Sequence, residues 1–291
     1  MADQAAMLRD LVGEEKRYPK VVTFASGKGG VGKSNLITAL AILMGGQGTK
    51  VTLLDMDLGL ANLDILLGLN PRFNLAHVMA GQKKIREIVC PGPNNIRLVP
   101  GASGVSRLAN LNSRERKQLS EKFSELEAMS DIVLVDTGAG LGENVLHFAT
   151  ASQAMVVVTT PEPPARMDAY ALIKTAMSKA PDLSIHVIVN EVASEAQAGA
   201  VFRSLSEVSR QHLPRLPKYL GYVPLDPHVS KSVGKRRPFV VSYPNSPATR
   251  AMKKIERDLS AFLLPHRGTS DDRLSRSFFS RLFSAFSLRS V

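Results

Sequence analysis

The chain has 291 residues, 44% of them hydrophobic, a formal net charge of +11 and one cysteine, Cys90. That is enough apolar material for one large domain with appendages, and it excludes a disulfide framework or a Cys-rich metal site built within one chain. No run of 18 uncharged apolar residues is present, so no spanning helix is expected, and the charge is lopsided: from Lys231 onward, 13 Lys and Arg face four acids.

In chain order, residues 1–18 come first. They carry Asp3, Asp10, Glu14 and Glu15 and a short apolar face of Met7, Leu8, Leu11 and Val12. The acids and the lack of a long apolar run do not suit a signal peptide. By composition the segment reads as a tail outside the core.

Short apolar runs then alternate with helix-length stretches. The runs are VVTFA (21–25), VTLLD (51–55), IRLVP (96–100), IVLVD (132–136), MVVVTT (155–160), IHVIVN (185–190) and YLGYVP (219–224). They are rich in Val, Ile and Leu without polar alternation, the pattern of strands buried on both faces. SNLITALAILMGG (34–46) reads as a helix closed by a glycine pair. The alternation predicts a doubly wound α/β domain with a mainly parallel sheet and its site at the carboxyl ends of the strands.

Between the first strand and the first helix lies FASGKGGVGKSN. Gly27-x4-Gly32-Lys33-Ser34 is the phosphate-loop pattern in the strand–loop–helix setting it requires. Gly27, Gly29, Gly30, Val31 and Gly32 would turn backbone N–H groups toward phosphate oxygens. Lys33 would reach the β- and γ-phosphates, and the Ser34 hydroxyl would ligate Mg²⁺. Lys28 is a second lysine that the pattern does not require.

Carboxylates follow at strand ends: Asp55 and Asp57 in DMDLGLANLD, and Asp136 in DTGAG. Asp136 suits a metal-bound water, and Asp57 suits the metal or the attacking water. Asn190 ends a later strand, followed by Glu191 and Ala193 where a guanine reader would place Lys and Asp. The site therefore lacks that reader of the guanine edge.

After a linker, PHRGTS, the last residues run DDRLSRSFFSRLFSAFSLRSV. Leu274, Phe278, Leu282 and Phe286 are four apart, with Phe279 and Phe283 on the adjacent row, so a helix would carry one apolar stripe. Such a stripe either docks on the domain as core or lies in a lipid interface.

KGGVGKS with Lys28 resembles the deviant Walker A loop of the MinD/ParA ATPases, and the two Asp motifs resemble that family's switches. Within the family, TTPEPPARMDAYALIK (159–174), GYVPLDPHV (221–229) and DQAAMLR (3–9) are similar to the flagellar-number regulators of the FlhG group, also called FleN or YlxH. The likeness runs from residue 3 to about residue 264. It departs at Pro164–Met167, where Thr-x-x-Thr is more typical.

The resemblance implies a Mg²⁺-dependent ATPase of MinD-like fold that forms a homodimer when ATP is bound. Lys28 would cross to the partner's phosphates while Lys33 acts within its own chain. Asn35 would complete the loop's nucleotide contacts, and Asn190 would contact adenine, flanked by Pro224 and Asp226. It further implies a helix near the N-terminus, marked by Asp3, Gln4, Leu8 and Arg9, that stimulates the FlhF GTPase. A flagellar switch-complex or transcription-regulator component is implied as a further partner. The C-terminal amphipathic helix would bind an anionic membrane reversibly, placing the protein in the cytoplasm and on the inner face of the cell membrane.

The expected division is therefore 1–18, a partner-activating segment; 19–264, the ATPase domain; and 265–291, linker and membrane-targeting helix. The alternative is a ParA-type partitioning ATPase whose basic end binds DNA without sequence preference. The Phe-rich stripe argues against it, and nucleic acid is not expected as a partner.

Overall fold

A computed structural model of the protein describes residues 18–57, 62–101, 113–264 and 277–285, apart from the side chains of 113–117, 283 and 285. Eight strands form one sheet in the order β3-β4-β2-β5-β1-β6-β7-β8. They are β1 (Lys20–Ser26), β2 (Val51–Met56), β3 (Cys90–Pro91), β4 (Arg97–Val99), β5 (Ile132–Ala139), β6 (Ala154–Thr159), β7 (Ser184–Val192) and β8 (Lys218–Pro224). All pairings are parallel except β3 with β4. The seven apolar runs are the seven parallel strands. The two-residue β3 escapes a pattern search because it is too short to carry a period.

Period-2 geometry sends alternate residues of β1 to opposite faces. Val22 and Phe24 join a core with the helices α1 (Lys33–Gly46), α2 (Leu63–Leu67), α10 (Phe239–Ser242) and α11 (Pro247–Leu263). Val21 and Ala25 face the other side. There lie α3 (Leu75–Met79), α4 (Ile85–Ile88), α5 (Ser113–Ala128), α6 (Glu143–Ala151), α7 (Pro163–Lys179) and α8 (Glu195–His212). A further helix, α9 (Pro227–Gly234), precedes α10.

The last described element, α12 (Phe278–Ala285), docks on α5 and α6. Its Phe278, Phe279 and Leu282 are each 1% exposed, in a cluster with Phe123, Leu126 and Phe148. The Phe123 and Phe279 rings lie 4.4 Å apart. Of the two readings of the stripe, this structure adopts the docked one. In this single chain Phe278, Phe279 and Leu282 face inward. The physical reason is that the α5–α6 groove offers the apolar stripe a dry partner. Leu274, Phe286 and the side chain of Phe283 lie outside the described residues, as do Asp3, Gln4, Leu8 and Arg9.

A buried carboxylate fixes this dock. Glu127, 4% exposed, accepts from the Ser277 hydroxyl at 2.8 Å and from the Phe279 N–H at 3.3 Å, so it serves the first N–H groups of α12, which have no intrahelical acceptor. Burial pushes its carboxyl up from the ordinary value.

Candidate functional site

The site sits where β1 hands over to α1, at the carboxyl edge of the sheet. Gly32 precedes α1 in the left-handed region at φ 83°. A Cβ there would also strike the Asn190 amide nitrogen, so conformation and space both require glycine. At Gly27 the obstacle is the backbone of Asp168 at the start of α7. The loop is thus clamped between α7 and the end of β7.

Lys33 forms a buried ion pair with Asp136, and the Ser34 hydroxyl donates to the other oxygen of that carboxylate at 2.7 Å. Asp136 lies in the buried run of β5 and is itself fully buried. Burial pushes its carboxyl up, with the Lys33 ammonium and the Ser34 hydroxyl pulling against that shift. Register carries Asp55 of β2 directly beside Asp136. Burial, reinforced by Asp136, raises the Asp55 carboxyl to about 7.

Asp55 accepts from the N–H of Asp57 at 3.1 Å and from the N–H of Leu63 at 3.3 Å. One side chain therefore ties the residue after β2 to the start of α2. Its position at a strand end was visible in the sequence; this bridging role was not, because it depends on where the chain returns at α2.

Asp57 reaches the same place from β2. A Cβ on Gly138 would lie 3.5 Å from its Oδ1, so the two Asp motifs face each other within contact distance. Ser34, Asp57 and Asp136 offer hard oxygen donors, few in number, the kind of set that suits Mg²⁺ shared with phosphates. These residues fit the ion, and with it bound they would orient the phosphates and a water. Among the described residues no group of three or more His, Cys, Asp and Glu side chains forms a metal site by itself.

The second lysine lies apart from this cluster. Lys28 pairs with Glu162 of its own chain at 2.8 Å, with the side chains 44% and 63% exposed. The hydrogen bond and charge of Glu162 raise the Lys28 ammonium's pKa. Gly29 and Gly30 separate it from Lys33, and no close contact would oppose a Cβ at either glycine.

At the expected base end, the Asn190 amide donates to the Val31 carbonyl at 2.9 Å and is buried. It braces the phosphate loop directly. Asn35 follows Ser34 in the first turn of α1 and is half-buried. Pro224 closes β8. The Asp226 carboxylate turns inward: one oxygen accepts from the N–H of His228 at 2.9 Å, the other from the N–H of Ala248 at 3.0 Å. Asp226 therefore caps α9 and ties it to α11. Leu225 beside it is 71% exposed.

With this geometry in view, a ParA model described as an NUBPL iron-transfer P-loop NTPase matches residues 17–260. The chain is 36% identical to the antiactivator FleN of Pseudomonas aeruginosa over 246 residues, 84% of this chain and 88% of that protein. It is 33% identical to the flagellum site-determining protein YlxH of Helicobacter pylori over an alignment of 298 residues, 97% of this chain and 98% of that one. MinD of Pyrococcus horikoshii, solved in complex with Mg-ADP, matches with a TM-score of 0.67 at 24% identity, over 84% of this chain and 97% of that chain. That likeness carries the fold alone. Cys90, the chain's one cysteine, provides no cysteine pair for iron.

Proposed function

This chain belongs to the MinD/ParA family of P-loop NTPases and is an ATPase, and on that premise we propose that it is an ATP-switched regulator of flagellar number and placement. The observation that carries the flagellar reading is the similarity to FleN and YlxH, which in the second case extends over nearly the whole of both chains. In this reading ATP and Mg²⁺ draw two copies together. Lys28 leaves Glu162 and reaches the partner's phosphates, where a second cation stabilises the charge of the transferred phosphoryl. Glu162 competes for the same ammonium, so hydrolysis waits for the dimer.

The dock of α12 gives the cycle a resting state. Phe278, Phe279 and Leu282 bind either the α5–α6 groove or a bilayer, because one apolar face cannot occupy both. Two released helices on one dimer add avidity, tying membrane residence to ATP. The segment containing Asp3, Gln4, Leu8 and Arg9 serves a separate task, stimulation of the FlhF GTPase, and a flagellar switch or transcription component receives the output.

Co-sedimentation with anionic liposomes tests the switch. The full chain should pellet with a non-hydrolysable ATP analogue and stay soluble with ADP, while a chain ending at residue 268 should stay soluble with both. Equal pelleting of the two chains would remove the tail from the account. A peptide of residues 1–18 that fails to accelerate FlhF would remove that partner and leave the ATPase assignment standing.

A further inference from the structure

Away from the nucleotide site, cations gather around the turn Tyr243–Asn245. On α11, Arg250, Lys253, Lys254 and Arg257 follow the i, i+3, i+4, i+7 spacing that places residues on one side of a helix. All four are exposed, whereas Ala248, Met252, Ile255 and Leu259 bury the opposite side. Lys235, Arg236 and Arg237, also exposed, follow α9.

Lys235, Arg250 and Lys253 meet at the turn. Lys235 Nζ lies 3.3 Å from the Tyr243 hydroxyl. Arg250 donates to the Asn245 carbonyl at 2.6 Å and Lys253 to the Pro244 carbonyl at 3.3 Å. These bonds place the cations without neutralising them. Among the described residues none of the seven forms an ion pair with a carboxylate. Glu256, which lies between the cations in sequence, is buried and bonded to Gln47 and Ser260. Asp258 is the one exposed acid of α11.

We propose that this basic face is a lipid-facing surface that recognises anionic headgroups, and this inference rests on the membrane reading above. The tether between α11 and α12 selects the occupant. α11 ends at Leu263 and α12 begins at Phe278, and the chain between them spans at most about 50 Å when fully extended. Capture of the tail by a bilayer therefore keeps the outer face of α11 within a domain's length of that bilayer. Attachment through an amphipathic helix strengthens with electrostatic attraction to anionic lipids as well as with buried apolar area. The seven cations supply that attraction, each strengthened by the negative surface potential of anionic lipid. Duplex nucleic acid is the other polyanion such a face could hold.

The test uses the full chain with a non-hydrolysable ATP analogue on pure phosphatidylcholine vesicles and on vesicles doped with phosphatidylglycerol. Lys253→Glu with Lys254→Glu should weaken binding to doped vesicles by about tenfold or more. It should leave binding to neutral vesicles and the melting temperature unchanged. Added salt should erase the parent's preference for doped vesicles. Unchanged binding of the double variant to doped vesicles overturns the proposal. So does a loss confined to a short DNA duplex at the same salt, which would make the face a nucleic-acid surface. The tail reading fails separately, when a chain ending at residue 268 binds doped vesicles as the full chain does. Absence of vesicle binding by the parent overturns both.

Discussion

Asp136 and Glu127 are both buried carboxylates, each holding together parts of the chain far apart in sequence, yet they do so with different partners. Asp136 receives a full ammonium and a hydroxyl from Lys33 and Ser34, residues fixed in the first turn of a helix whose next turns are buried in the core. Glu127 receives a hydroxyl and a backbone N–H from Ser277 and Phe279, which arrive on a short helix at the end of a tether. Burial pushes both carboxyls up. At Asp136 the opposing charge travels with the framework, so the arrangement persists while the domain stays folded. At Glu127 the proposed release of α12 would take the partners away and let water replace them. In that reading a permanent site and a releasable one are built from the same side-chain chemistry, separated by how their partners are attached to the framework.

The sharpest way to break the comparison is to remove the charge at the permanent end. Lys33→Ala leaves Asp136 buried without its cation, a change that costs about 3–5 kcal/mol where such a pair is broken, and it removes the phosphate-binding ammonium. ATP binding measured by calorimetry should fall by at least about a hundredfold, with a lower melting temperature. Hydrogen exchange of the α12 amides should not change, because Lys33 packs in the site at the other end of β5 and its ion pair is with Asp136 rather than with the dock.

At the releasable end the corresponding cut is Phe279→Ala. Truncating a buried Phe costs about 3–5 kcal/mol where the structure cannot escape the cavity. If α12 undocks as proposed, the structure escapes that cost, and the loss is capped at the free energy of docking. The expected result is rapid exchange of the α12 amides, with ATP affinity unchanged and a smaller drop in melting temperature than Lys33→Ala produces. A melting temperature falling as far as that of Lys33→Ala would mean that α12 is part of the cooperative fold rather than a removable element.

The two ends also differ in how far the sequence reveals them. The phosphate loop is legible because its requirements are local. Gly32 needs a positive φ and space, Lys33 and Ser34 need the first turn of a helix, and a fixed spacing records all of it. Asp136 is legible for a related reason, since it closes an apolar run and few other roles suit a carboxylate there. The role of Asp226 is not legible, because its partners include Ala248, 22 residues on. The stripe from Leu274 to Phe286 announces an apolar face but not what covers it. Its receptor, Phe123 with Phe148, comes from two helices more than a hundred residues away. Glu127 gives no signal at all, sitting in a helix of mixed charge where an acid ordinarily faces solvent.

The finest probe of the contrast is Glu127→Gln, which keeps a side-chain oxygen able to accept from Ser277 and Phe279 and removes only the ionisation. In the docked state burial, the largest influence, raises the Glu127 carboxyl above its ordinary value, against the pull of Ser277, of the α12 N–H groups and of Arg281. Undocking returns the carboxyl to water. The docked form therefore holds its proton to higher pH than the undocked form. Docking is fully supported at acidic pH, and that share of its stability is lost as pH rises through the docked value. Exchange of the α12 amides, corrected for intrinsic chemistry, should show the parent opening severalfold more often at about pH 8 than at about pH 5. Glu127→Gln should be flat across that range and more protected than the parent at its alkaline end. If the parent instead opens more on acidification, and Gln loosens the helix at every pH, the hydrogen bonds and Arg281 outweigh burial. Glu127 would then be an ionised anchor, closer to Asp136 than the comparison allows.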